Sequence, residues 1–246
     1  MKKTWHRMAL TSVAYAFVVA SADAATPLPE FQALIEPFMT VELRSPVEGV
    51  IESIAVDRGD VVKQGQELVK LRAGVEDAAF AVAGAKADYD KRKQSRARQL
   101  YAEKAIPFSE KDEADSNARA SELQARLALE TLNLRIIKSP ANAVVAERFL
   151  SPGESVKDKT ILKLVQIDPL RVEVVLPAAV FGRIQKGMSV EVKPELGTIG
   201  TLSAKVSVVD KVIDGASGTF VARIEIPNPN HAVPSGLRCK VRFLSN

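Results

Sequence analysis

Cysteine is almost absent. The 246 residues hold one, Cys239, so no disulfide can form within the chain and no multi-cysteine metal site can be built. Histidine is as scarce, with only His6 and His231. His231 lies in a turn-like Asn-Pro-Asn-His stretch, and one His and one Cys far from an acidic cluster do not make a convincing zinc site. No Gly-x-Ser-x-Gly elbow and no phosphate loop appear, which argues against a self-contained hydrolase or nucleotide enzyme. Aromatic residues are 5% of the chain, so its cores must be built from Val, Ile, Leu and Ala. Beyond residue 24 no stretch is as long and apolar as the ~20 residues a membrane-spanning helix needs.

Charge of one sign is also lacking. The N-terminus has the pattern of a secretory signal: Lys2, Lys3 and Arg7, then the apolar run Met8–Ala20, then the small-x-small site Ala22-Asp23-Ala24. Three of the 34 basic and one of the 30 acidic residues go with residues 1–24, leaving 31 against 29 and a net of +2. So neutral a chain has no electrostatic case for nucleic-acid binding. The expectation is a cleaved signal at residues 1–24 and a mature protein in the periplasm, soluble or held at the inner membrane by partners.

What is present is a repeat at an offset of 94 residues. Ser45, Pro46, Val50, Gly59, Val62, Lys63 and Leu68 meet Ser139, Pro140, Val144, Gly153, Val156, Lys157 and Leu162 without a gap. Asp60 and Glu154 match in charge. Pro and Gly fall at the same structural points in both copies, which speaks against chance. Each copy reads as strand, Gly-containing turn, strand. One copy cannot bury its apolar face, whereas two packed together make a small β-sandwich. Whatever lies between them must leave and return at nearly the same place.

The insert has no glycine from Ala85 to Leu150 and is rich in Ala and long charged residues, as strong helix formers should be. A first helix is expected from Val75 to about Lys104, with a stripe of Val75, Ala79, Val82, Tyr89 and Leu100. Pro107 stops it, and Ser109 is the expected N-cap of a second helix, with Asp112 at the capping-box position. The second stripe is Ala114, Ala118, Ser121, Ala125, Ala128 and Leu132, widened by Leu123, Leu127 and Leu134. Facing stripes make an antiparallel coiled coil with arms of ~45 Å. The outer half of helix one is basic (Lys91, Arg92, Lys93, Arg96, Arg98) and the start of helix two acidic (Glu110, Asp112, Glu113, Asp115). That pattern fits a solvated tip with facing charges, or a docking surface.

From Asp168-Pro169 the pattern changes to short alternating strands. They are expected at Leu170–Leu176, Ser189–Lys193, Leu202–Val209, Thr219–Ile226 and Leu237–Phe243, with a short helical turn at Ala179–Gln185 able to plug one barrel end. The fold class is therefore mainly β with a long α-helical hairpin. The expected divisions are 1–24 signal, 25–43 extended segment, 44–73 with 135–168 split sandwich, 74–134 hairpin and 169–246 small antiparallel β-barrel.

In this order the parts resemble the membrane fusion proteins, or periplasmic adaptor subunits, of tripartite efflux pumps (HlyD-like, RND-type). The residues that carry the resemblance are Ser45-Pro46-Val-Glu-Gly49, Gly59-Asp60-x-Val-x-x-Gly65-x-x-Leu68, Lys138-Ser-Pro140, Pro152-Gly153-Glu154, Asp168-Pro169-Leu170, Gly218-Thr-Phe-Val-Ala-Arg223, Pro227-Asn228 and Pro234-Ser-Gly236. The resemblance implies a split lipoyl-like (barrel-sandwich hybrid) domain and no enzyme, cofactor or metal. It implies an inner-membrane transporter and an outer-membrane channel as partners, and a ring of several copies. It also implies a hairpin tip with an Arg, Leu and Ser pattern. Arg96 and Leu100 fit that pattern, the Ser position falls on Pro107, and Ser109 lies two residues later. Members commonly add a membrane-proximal domain, for which only Leu28–Leu43 is left to pair here.

Other classes remain in view. An adaptor of an ATP-driven type I secretion system would share these features, as would a stand-alone periplasmic binding or structural protein. A biotinyl or lipoyl carrier needs a modifiable lysine at an exposed hairpin turn, but that turn is replaced by Arg72-Ala-Gly74 and the insert, and Lys70 and Lys163 sit inside expected strands. Intact-mass analysis of the exported protein should find a chain beginning at Ala25 with no added cofactor mass.

Overall fold

The computed structural model describes residues 28–244, so the signal at 1–24 lies outside the described residues. The chain order is β1 (Phe31–Arg44), β2 (Gly49–Ile54), β3 (Val61–Val62), β4 (Glu67–Leu71), α1 (Gly74–Ala102), α2 (Phe108–Asn133), β5 (Ile136–Lys138), β6 (Ala143–Arg148), β7 (Ser155–Val156), β8 (Thr160–Pro177), β9 (Ser189–Pro194), β10 (Leu202–Val209), β11 (Thr219–Ile226) and β12 (Leu237–Phe243).

The two repeats close a common sandwich by exchanging strands. Gly49 of β2 pairs with Val156 of β7, and Ala143 of β6 pairs with Val62 of β3. With the 94-residue offset these are the same pair twice. The backbone bonds repeat too: Gly59 N donates to Val145 O and Gly153 N to Ile51 O, both at 2.9 Å. Gly59 and Gly153 have φ of 94° and 91°, a left-handed conformation only glycine adopts at little cost. Each turn is closed by the matched carboxylate, Asp60 accepting from Asp57 N at 2.7 Å and Glu154 from Ser151 N at 3.1 Å. The shared core holds Ile51, Val62, Leu68 and Leu71 from one copy with Val145, Val156, Leu162 and Leu164 from the other.

A second core fills the barrel, whose six strands close in the order β1-β12-β9-β10-β11-β8-β1, all antiparallel. Inward side chains alternate with period two, as in Phe220, Ala222, Ile224 and Ile226 of β11 and Leu170, Val172, Val174 and Leu176 of β8. The expected turn after β8 is one 3₁₀ turn, Ala178–Val180, and Val180 and Ile184 are buried in the barrel core.

Two expectations fail at the junction. The strand does not restart at Asp168-Pro169, because β8 runs unbroken through both units. Residues 31–44 are not a separate extended segment: β1 pairs along β8 from Ala33↔Val174 to Arg44↔Thr160, with a shift between Pro37 and Met39. Proline fits there because an edge or bulge position needs no ladder donor. Buried Asn228 ties the β11–β12 loop to this junction, its amide donating to Ile167 O and Val233 O, each at 2.9 Å.

The hairpin springs from the sandwich between β4 and β5. Arg135 clamps its base, with Nη2 2.6 Å from Glu76 Oε1 and Nη1 donating to Glu48 O at 2.8 Å. A Cβ on Gly49 would sit 2.8 Å from that guanidinium, so a side chain there would make the clamp shift. The stripe expected on α2 is confirmed, with Ala114, Ala118 and Ser121 buried and Ala125, Ala128 and Leu132 half-buried. The stripe expected on α1 is wrong. Val75, Val82, Tyr89 and Leu100 are exposed, and the residues against α2 are Glu76, Phe80, Ala83, Ala87, Asp90, Gln94 and Ala97. Leu123, Leu127 and Leu134 are exposed as well. Small side chains bring the helices together, and Asp90 fits inside because Lys86 Nζ lies 2.8 Å from it.

Enlarging this seam should overpack it. Ala118→Leu should cost about 1–3 kcal/mol, read as a fall in the denaturant midpoint of the helical circular-dichroism signal.

Candidate partner-binding site at the hairpin tip

The tip is built where the chain must reverse. α1 ends at Ala102, Lys104 turns left-handed at φ 59°, and Ala105 N donates back to Leu100 O at 2.8 Å. Pro107, at φ −73° and ψ 160°, is the N-cap residue of α2, with no side-chain cap bond. Ser109 is therefore not the N-cap. Proline's locked φ and missing N–H suit an extended entry to a helix, and the helix begins one residue before the serine.

Of the four expected tip residues, two come together. Arg96 and Leu100 line one groove with Lys93, Ala97, Ile106, Glu110, Glu113 and Ala114. Pro107 and Ser109 do not line it; Ser109 is exposed on the far side of α2. The expectation missed an aromatic pair beside the turn: Tyr101 and Phe108 meet edge to face at 6.0 Å, and Lys111 Nζ lies 5.4 Å from the Phe108 ring centre. Both rings are exposed. Their signal was apolar residues flanking the proline break in an otherwise charged stretch.

The expected facing charges are only partly paired. Asp115 takes Arg98 Nε at 2.7 Å and Lys111 Nζ at 2.7 Å, and these cations, Lys111 foremost, hold its carboxyl below the ordinary range. The groove on the opposite face of the hairpin has charged walls of Asp88, Lys91, Arg98, Asp115, Arg119 and Glu122 around Ala87, Gln94 and Ala118. The Arg96 face instead combines a Leu–Ile floor with unlike charges on its two walls. It can take a helix or loop bearing a small apolar residue and polar neighbours.

Among the described residues no cluster of three His, Cys, Asp or Glu could hold a metal. The Cys239 thiol is buried and pushed up to about 11, mainly by desolvation, so it is neither a nucleophile nor a ready ligand at neutral pH. His231 lies in a turn with φ 51°, and its N–H donates to Asn228 O.

A split sandwich interrupted by a helical hairpin and followed by a barrel defines a barrel-sandwich hybrid protein. Residues 39–166 match the model of the CzcB-like barrel-sandwich hybrid domain, and the chain belongs to that family. It is 25% identical over 244 residues to the antibiotic efflux pump periplasmic linker protein ArpA of Pseudomonas putida, covering 92% of this chain and 65% of ArpA. It is 24% identical over 238 residues to the multidrug resistance protein MexA of Pseudomonas aeruginosa, covering 89% of this chain and 62% of MexA. The chain thus spans less than two thirds of these relatives' length. In fold it matches a MacA–MexA chimera containing the Pseudomonas aeruginosa MexA α-hairpin domain, with TM-score 0.75 and 21% identity over 87% of this chain and 80% of the chimera. It also matches the membrane fusion protein Spr0693 of Streptococcus pneumoniae R6, with TM-score 0.70 and 17% identity over 89% of this chain and all of that one. The resemblance to periplasmic adaptors is thus confirmed.

The pairing at Asp115 sets a pH dependence. Its folded pKa lies below the unfolded value of 3.8, so its stabilisation of the tip is complete above that value and fades as pH falls through the depressed folded one. Carboxyl NMR titration should show Lys111→Gln raising the Asp115 midpoint more than Arg98→Gln does.

Proposed function

We propose that this chain is a periplasmic adaptor linking an inner-membrane efflux transporter to an outer-membrane channel. It acts mechanically and carries out no chemistry of its own. The observation that carries the reading is the hairpin itself. Its 29-residue first arm extends ~44 Å from the sandwich at 1.5 Å per residue, and ends in a groove and an aromatic pair that serve no core. Isolated side chains of that kind at the far end of a long lever suit contact with another protein.

In this reading Arg96 and Leu100 engage the channel, with Ile106 extending the apolar floor and Tyr101 and Phe108 beside it. Pro107 sets the turn and Ser109 adds an exposed hydroxyl. The barrel, at the opposite end of the β1–β8 ribbon, faces the transporter. The names of ArpA and MexA, an efflux-pump linker and a multidrug resistance protein, support the efflux assignment. The exported state, through cleavage after Ala24, and assembly of several copies belong to the same proposal.

Crosslinked envelopes solubilised in detergent and captured through tagged protein should yield both a transporter and a channel. Arg96→Asp with Leu100→Asp should lower channel recovery about tenfold or more, as for loss of an interface hot spot, while transporter recovery stays constant. Capture of neither partner by the unchanged protein would sink the adaptor reading.

A further inference from the structure

Gly49 stands where its own backbone does not call for glycine. Its φ lies outside the left-handed range that Gly59 and Gly153 occupy, and it opens a strand, where a glycine forgoes packing. The repeat offers a comparison inside the same molecule. At the 94-residue offset Gly49 becomes Ala143. The two make the same contact across the sandwich, Gly49 with Val156 and Ala143 with Val62, and Ala143 is buried there with its Cβ at 6% exposure. The sandwich pairing therefore accepts alanine. What sets the first copy apart is the hairpin base beside it. A Cβ on Gly49 would meet Arg135 Nη1 at 2.8 Å, while the next neighbour, Leu71 Cδ1, would lie at an ordinary 3.4 Å.

That guanidinium joins three chain segments. Arg135 stands between the end of α2 and the start of β5. Its Nη2 lies 2.6 Å from Glu76 Oε1 in the first turn of α1. Its Nη1 donates at 2.8 Å to Glu48 O, in the turn before β2. Arg135 and Glu76 side chains are only 20% and 17% exposed. A planar fork can hold two acceptors at fixed angles, which a lysine ammonium on a flexible stem does not. Among the described residues no other side chain bonds either helix to the sandwich.

The covalent joins do not fix the hairpin alone. Residues 72–73 lead from β4 into α1 and residues 134–135 from α2 into β5. Two joins define a hinge line, and rotation about a line is stopped by a contact away from it. The Glu48 carbonyl is such a contact, because its turn belongs to neither join. The lever magnifies any play: a tilt of about 10° at the base carries a tip ~44 Å away through about 8 Å. Hydrogen bonds fail over far less than that.

We propose that Arg135 is the positioning residue that aims the hairpin, and that position 49 is glycine to make room for it. The use of a fixed aim rests on the adaptor reading, in which the tip must meet a channel. The clamp itself needs no partner, so purified protein decides it whatever the capture experiment finds.

The test is a distance measurement between two nitroxide labels on the full exported chain. The labels sit at Ser53→Cys in β2 and Ser116→Cys in α2, both exposed, with buried Cys239 unlabelled. Pulsed electron–electron double resonance should give one narrow distribution for this labelled parent. Arg135→Ala should spread or displace it by about 4 Å or more, the motion that a tilt of about 10° gives 17 residues up α2. The helical circular-dichroism signal should stay. Gly49→Ala removes no group and should have the same effect, whereas Ala143→Gly at the matched position should have none. Adding Gly49→Ala to Arg135→Ala should change nothing further, because both act through one contact. Should Arg135→Ala lose its helical signal, Gly49→Ala and Ala143→Gly decide between them. A broad distribution in the parent, an unchanged one in Gly49→Ala, or a Gly49→Ala effect that persists without Arg135 would overturn the proposal.

Discussion

Each half of the sandwich lacks a second layer of its own, and the exchange of β3 and β7 between halves supplies it. Gly49 against Val156 and Ala143 against Val62 are one contact made twice. Around that exchange Leu68, Leu71, Leu162 and Leu164 leave water together. The connection between the halves must therefore begin and end at one point. An antiparallel helix pair is the simplest long insert that meets that requirement, and Arg135 fastens both of its ends through Glu76 and the Glu48 carbonyl.

From the same sandwich a ribbon of two strands continues into the barrel. β1 and β8 belong to both units, so barrel and hairpin sit at opposite ends of one hydrogen-bonded ladder. A protein built this way holds surfaces apart, as the proposed adaptor role requires.

Much of the fold was legible in the residues. The 94-residue repeat announced the sandwich because its Pro and Gly positions mark turns that backbone sterics permit to few residue types. Four barrel strands were found at Ser189, Leu202, Thr219 and Leu237, since period-two alternation is a local consequence of one wet and one dry face. The α2 stripe was equally clear. The α1 stripe was misassigned because its true seam contains Glu76, Asp90 and Gln94, polar residues that a hydrophobicity count places outside. The same count drew in Val75, Val82 and Tyr89, whose regular spacing belongs to another face. Ser109 looked like a cap by type, yet the turn at Lys104 and the rigid Pro107 put the cap two residues earlier.

Local propensity and periodicity thus determined the order of elements, the split of the sandwich and the existence of the hairpin. Tertiary structure alone decided which helical faces met, that β1 and β8 cross both units, and that Arg96 and Leu100 share a groove with Ile106 while Ser109 points away. The physical reason is that a helix with apolar residues on two flanks has two candidate seams. Only the closest approach of backbones, through Ala97, Ala114 and Ala118 with Asp90 held by Lys86, selects between them.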